Sequence, residues 1–182
     1  MWSLSHRCDP LVRPMADRHY NRQSVGAPNF VPPGRCLVLR SLPYAYWVTS
    51  WPFTEYVKHA WAGAWVCSAF RREGGEWTAS SLITAAVAAT LAHYGEPPSL
   101  GMVTFLDREH VRPIRRRGVD TWGYTWTLAG FRHVGETAGG LMAFQLLPED
   151  MPPPSYAIGD NRSLFAGRES CAYLEAPYPC DS

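Results

Sequence analysis

Five consecutive residues near the start, Asp17-Arg-His-Tyr-Asn21, set a carboxylate, a guanidinium, an imidazole and a phenol side by side. These groups suffice for a proton-transfer station or an Asp/His metal contact; a surface turn is the plain alternative. A second stretch, 70–81, reads Phe-Arg-Arg-Glu-Gly-Gly-Glu-Trp-Thr-Ala-Ser-Ser. A glycine-containing loop that feeds a helix N-terminus can hold an anion on its free amides. Arg71, Arg72, Ser80 and Ser81 would add donors, while Glu73 and Glu76 count against phosphate. The alternative is a polar connection that Ser80 merely caps.

Asp107 follows the apolar run LGMVTFL and so emerges at the carboxyl end of a buried strand, where open α/β sheets place ligands. A helix-capping role is the alternative. Arg108, Arg112, Arg115, Arg116 and Arg117 then put five guanidiniums into ten residues, together with His110. That density suits a nucleic-acid backbone, against the ordinary reading of a solvated basic face. Eight Trp are many for this length; most belong in a core, but Trp122, Tyr124 and Trp126 lie beside the arginines, where aromatic rings could stack on bases.

Elements to position these groups are legible between the proline-rich breaks at 28–34, 96–98 and 148–154. Runs rich in Val, Leu, Trp and Tyr predict strands over 36–41, 44–50 and 63–71, an antiparallel meander in the simplest arrangement. Ile83, Val87, Leu91 and Tyr94 recur at helical spacing and predict a helix over 78–94, capped by Thr78 or Ser80. A buried strand at 100–106 after that helix implies a β-α-β crossover. A short helix over 122–129 and a last strand over 141–147 complete the order β-β-β-α-β-α-β, with no internal repeat.

The chain has 182 residues, 46% hydrophobic and 13% aromatic, enough for the core of one domain and unlike a disordered or fibrous chain. Sixteen Pro and fifteen Gly exclude a helical bundle, and no window approaches the roughly 20 apolar residues of a membrane span. The first 14 residues hold no apolar run, so a cytoplasmic location is expected. Five scattered Cys without metal-ligand spacing argue against a disulfide framework or structural zinc and are expected to be thiols. The net charge of +1 conceals a basic body and an acidic tail: 15 Lys+Arg against 9 Asp+Glu over 1–135, and 2 against 7 thereafter. Lys58 is the one Lys; the Arg excess suits phosphate and equally fits codon bias in a GC-rich genome.

Taken in order, these parts resemble the C-terminal half of the GNAT acyltransferase fold, and more narrowly the Mom-like phage and prophage proteins that hypermodify adenine in DNA. The resemblance covers about residues 17–147. It rests on His19-Tyr20, on Arg71 or Arg72 with Ala79-Ser80-x-Leu82-Ile83, and on Thr104-Phe105-x-Asp107. Gly123, Ala129-Gly130-Phe131 and Gly135-x-Thr137 complete it. It implies an α/β (α+β) fold with a GNAT-like mixed central sheet, an N-terminal extension over 1–16 and a Pro-rich acidic extension over 148–182.

The activity it implies is addition of a small acyl-type or carbamoylmethyl group to the exocyclic amine of adenine, protecting phage DNA from restriction. Such chemistry needs an oriented amine, a base, and a cationic, aromatic-walled site for a flipped nucleotide. On this reading Asp107 or His19 is the base and Tyr20 a hydrogen-bond partner or acid, and Ser80 at the helix entrance is counted with them among the catalytic residues. Arg71, Arg72 and Ser81 hold a small-molecule donor, Trp122 and Tyr124 stack, and the segment 108–117 binds DNA. The group has also been connected with iron, for which His19 and Asp107 are the pair this sequence offers. Two departures stand out. The acyltransferase phosphate loop is broken at Glu76-Trp77, against acetyl-CoA as donor, and Trp126 stands where that fold often has Tyr. An acyl-CoA-dependent N-acetyltransferase acting on a small amine or protein, and a non-catalytic nucleic-acid-binding module, are the alternatives.

Overall fold

A computed structural model describes residues 1–160. It is a mixed α/β fold on a seven-stranded sheet. The meander forms as expected: β2 (Arg35–Ser41), β3 (Ala45–Trp51) and β4 (Trp65–Arg72) pair antiparallel in sequence. Six of the seven β3 residues are buried, as both faces of a central strand require. The crossover helix α2 (Ala79–Tyr94) then leads into β5 (Met102–Leu106), parallel to β4. Thr78 caps α2, its Oγ1 accepting from the Ser81 amide at 3.1 Å, a bond worth about 1 kcal/mol.

Several elements carry no apolar signature and are additions to the predicted order. Strand β1 (Ser3–Ser5) pairs with β2, and α1 (Arg13–Asp17) packs Met15 and Ala16 on the sheet. Trp2 is buried and donates its indole N–H to the Leu82 carbonyl at 2.8 Å. Residues 1–16, expected as an extension, are therefore built into the domain. Beyond β5, β6 (Ile114–Arg116) and β7 (Val119–Thr121) form a separate two-stranded ribbon. After α3 (Tyr124–Leu128), β8 (Arg132–Glu136) precedes β9 (Met142–Leu146) and pairs with it at the sheet edge. The strand order is β1-β2-β3-β4-β5-β9-β8.

The two faces are covered differently. On one, α2 and α3 bury Trp47, Trp65, Ile83, Val87, Trp126, Phe131 and Phe144 in the main core. Polar groups there are satisfied in a chain: Trp47 Nε1–H donates to Thr49 Oγ1 at 2.6 Å, Thr49 meets Thr90 at 2.9 Å, and Thr90 donates to the Ala86 carbonyl at 2.8 Å. On the other face, α1 covers Val38, Tyr46 and Val48, while Trp61 packs beside Val103, Phe105 and Ala143. The chain after β9 continues through a 3-10 turn, and the Ile158 carbonyl accepts from the Leu4 amide at 2.8 Å, so part of the Pro-rich extension returns to the first strand. Residues 161–182, the remainder of that extension, lie outside the described residues.

Cys8 is disulfide-bonded, which corrects the reading of all five cysteines as thiols, whereas Cys36 and Cys67 are free. Among the described residues no helix is long and apolar enough to cross a membrane.

Candidate functional site

The parallel pairing that positions the site is short. β4 and β5 pair only from Trp65/Met102 to Cys67/Thr104, and beyond that point the two strands part. The loop after α1 fills the opening. Asn21 Nδ2–H donates to the Ser68 carbonyl of β4 at 2.7 Å, Arg71 Nη1–H donates to the Arg18 carbonyl at 2.6 Å, and the Tyr20 hydroxyl donates to the Phe105 carbonyl of β5 at 3.4 Å. His19 and Tyr20, 85 or more residues before Asp107 in the chain, are thereby brought to the carboxyl end of β5.

Tyr20 is the ring common to two stacks, on His19 at 4.7 Å and on His110 at 5.3 Å between centroids. Asp107 Oδ2 lies 2.8 Å from His110 Nδ1, and its Oδ1 accepts from the Glu109 amide at 2.9 Å. The Glu109 amide and then His110 hold the Asp107 carboxyl below its usual range. A carboxylate so stabilised is a weak base. Its position instead fixes the imidazole tautomer with Nδ1–H toward Asp107, leaving Nε2 as the acceptor. Of the pair, His110, half-exposed beside Asp107, is the side chain with a ring nitrogen left to accept a proton. In sequence His110 stands out only as a companion of the arginines; the Asp-x-x-His spacing directly after a buried strand is the signal that points to it.

Burial holds the His19 imidazole below its usual pKa, so the ring is neutral near pH 7. Its Nδ1 accepts from the Asn21 amide at 3.3 Å, and the ring also hydrogen bonds with the Phe70 backbone. Those contacts tie the loop to β4 and occupy the atoms that proton transfer or metal ligation would use. Burial likewise raises the Tyr20 phenol, so it stays protonated and can donate. Asp107 engages His110 rather than His19, and among the described residues no three His, Cys, Asp or Glu side chains are grouped to hold a metal ion.

Arg71 and Arg72, expected to hold a donor, are engaged within the protein. Arg71 Nε–H donates to Glu73 Oε1 at 2.6 Å, and Arg18 grips the same carboxylate through two bonds of 2.9 and 2.6 Å. Arg72 donates to the Trp77 and Gly75 carbonyls at 2.8 and 2.9 Å, bracing the β4–α2 loop. Hydrogen bonds from Arg18 and then Arg71 pull the Glu73 carboxyl down to about 2. A carboxyl depressed in the folded state stabilises it fully above its unfolded pKa and progressively less as pH falls toward the folded value. Glu73→Gln is therefore expected to flatten the decline in urea stability between about pH 4.5 and 2; an unchanged acid limb contradicts this clamp.

The helix start does not join the ring stack. Ser80 Oγ lies 3.1 Å and Ser81 Oγ 2.7 Å from Thr78 Oγ1, and both serines line an open groove of about 380 Å³ between α2 and α3 that none of the stacked rings borders.

The arginine segment becomes a protruding ribbon because Arg117 and Gly118, with φ of 47° and 82°, make the tight turn that joins β6 to β7. Every residue from Ile114 to Asp120 is exposed. Arg108 pairs with Glu136 at 2.6 Å and lies 5.9 Å over Trp122; Arg116 lies 4.4 Å over Tyr124. Both aromatic rings expected to stack on bases are thus faced by guanidiniums. Arg112, Arg115 and Arg117 have no ion-pair partner among the described residues. Trp126 is buried against Trp47, Phe70 and Phe131, a core residue rather than a reactive one. No protein-family model, curated protein or solved structure matches the chain.

Proposed function

We propose that this protein is a GNAT-like transferase that adds a small acyl-type or carbamoylmethyl group to the exocyclic amine of adenine in phage or prophage DNA. The observation that carries the reading is the meeting of Tyr20, Asp107 and His110 at the point where β4 and β5 part, with the arginine ribbon following directly from the same strand end. The strand order and the parallel pairing of β4 with β5 after a crossover helix support the GNAT-like part of it.

In the step this implies, the exocyclic nitrogen attacks the electrophilic carbon of a donor, the bond from that carbon to its leaving group breaks, and the leaving group departs with the electron pair. The nitrogen loses its proton to His110 Nε2, while Asp107 supports the imidazolium that forms. The Tyr20 hydroxyl, kept protonated, orients the base or the donor. Arg108, Arg112, Arg115, Arg116 and Arg117 hold backbone phosphates around the flipped nucleotide. The engagement of Arg71 and Arg72 counts against coenzyme A, and so against the acyl-CoA alternative.

DNA from cells expressing the protein is expected to resist enzymes that cut at adenine-containing sites. Complete digestion in a host that supplies the donor contradicts the reading. A non-catalytic DNA-binding module is favoured by one observation, the burial of Trp126 where the related fold often has a phenol. Both readings require the ribbon to bind. Replacing Arg115 and Arg117 by Ala is expected to lower the slope of log K against log salt by about 0.9 for each phosphate that is no longer neutralised, measured by DNA titration at several salt concentrations. An unchanged slope makes the ribbon a solvated face.

A further inference from the structure

The β6–β7 ribbon carries one residue that phosphate binding does not explain. Between Arg112 and Thr121 the chain holds four arginines and a single acid, Asp120. A carboxylate there repels the polyanion that the arginines attract.

The strand register fixes where that carboxylate stands. In an antiparallel pair, cross-strand partners share a face and successive residues alternate between faces. Ile114 with Thr121 and Arg116 with Val119 therefore occupy one face, and Arg115 with Asp120 the other. The Arg116 guanidinium, 4.4 Å over the Tyr124 ring, turns the first face toward α3. Arg115 and Asp120 stand on the face directed away from that helix, and both are exposed. Opposite charges in such positions attract across the strands, yet neither residue has an ion-pair partner among the described residues. The carboxylate is left open to a ligand.

The shape of the element narrows that ligand. The ribbon lies outside the seven-stranded sheet and is two strands wide. A two-stranded ribbon fits the major groove of B-DNA, about 12 Å across, and not the minor groove of about 6 Å. A carboxylate in the major groove can only accept. Guanine and thymine present acceptors there, and adenine sets its N7 acceptor beside its amine; cytosine presents the N4 amine with no acceptor of its own. We infer that β6–β7 enters the major groove with Asp120 accepting from a cytosine amine, so that the ribbon selects the sequence context in which adenine is modified. Arg115 and Arg117 remain on the phosphates at the groove walls. This inference rests on the DNA reading above and adds a base-specific contact to it.

The test is selection of bound duplexes by the full chain from a pool randomised over about ten base pairs, one helical turn. The wild type is expected to enrich cytosine at one position about five- to tenfold over the other bases. Asp120→Ala should lose that preference and keep any other. Asp120→Asn should replace it with adenine, whose N6 and N7 an amide side chain bonds together. Both variants remove a negative charge and should bind DNA at least as tightly as the wild type, which shows that the ribbon is intact. If the wild type binds DNA without preferring cytosine anywhere, or if Asp120→Ala enriches the same bases as the wild type, Asp120 only offsets the charge of its neighbours. Either result overturns the inference and leaves the DNA reading standing. A wild type that binds no duplex removes the DNA reading and this inference with it.

Discussion

Replacing His110 by Gln is expected to lower adenine modification about 10²- to 10⁴-fold, the usual contribution of a positioned general base, while leaving the fold and DNA binding unchanged. The side chain is 52% exposed, so its removal opens no cavity. Asp107→Asn keeps the shape of the pair but removes the charge that holds the imidazole tautomer and supports its protonated form. Its activity should lie between those of the wild type and His110→Gln. Tyr20→Phe preserves both ring stacks and gives up the hydroxyl that bonds to Phe105 and is assigned to orient the base or donor, so a smaller decrease is expected than for His110→Gln. The fraction of modified deoxyadenosine in DNA from cells expressing each variant gives the ranking. If His110→Gln retains full activity, proton removal happens elsewhere and the dyad is structural.

A second large effect is expected on stability. Gly101 precedes β5 with φ of 61°, and a Cβ there would lie 2.1 Å from the Leu146 carbonyl oxygen of β9. That neighbour is backbone, and Met102 pairs with Leu146 in the β5–β9 ladder, so relief requires moving a strand. Gly101 also binds both ways locally: its amide donates to Pro98 at 2.7 Å, and its carbonyl accepts from Trp65 of β4 at 2.9 Å. Gly101→Ala should cost about 3 to 5 kcal/mol, a large share of the total stability of a single domain. Urea denaturation measures it. Gly139→Ala is the control, since its Cβ would meet only Thr137 Oγ1 at 3.9 Å. A decrease below about 1 kcal/mol at Gly101 would mean that β5 and β9 are not packed as described.

The strands β2, β3, β4, β5 and β9 and the helix α2 are legible in the sequence because each buries a run of apolar side chains. β1 and β8 are not: Ser-Leu-Ser and Arg-His-Val-Gly-Glu carry no apolar alternation and become strands only because a neighbour offers a free edge. The ribbon is hidden for a related reason. Its turn is Arg-Gly rather than a common hairpin pair, and its flanks are arginines. At the site, His19 and Tyr20 are joined with Asp107 only by the family resemblance, since residues 17–21 precede every predicted element. The helix start cannot be excluded from that meeting by sequence, because which side of the β4–α2 loop Ser80 faces depends on packing. Nor can the fate of Arg71 and Arg72 be read there, since their partners Glu73, Gly75 and Trp77 lie in the same loop and look in sequence like competitors rather than struts.

The most direct measurement is the mass of the deoxyadenosine released from DNA of cells that express the protein, compared with DNA from cells expressing His110→Gln. The account predicts a deoxyadenosine heavier by one small acyl-type or carbamoylmethyl group in the first sample and almost none in the second. Unmodified deoxyadenosine in both, in a host that makes the donor, would contradict it.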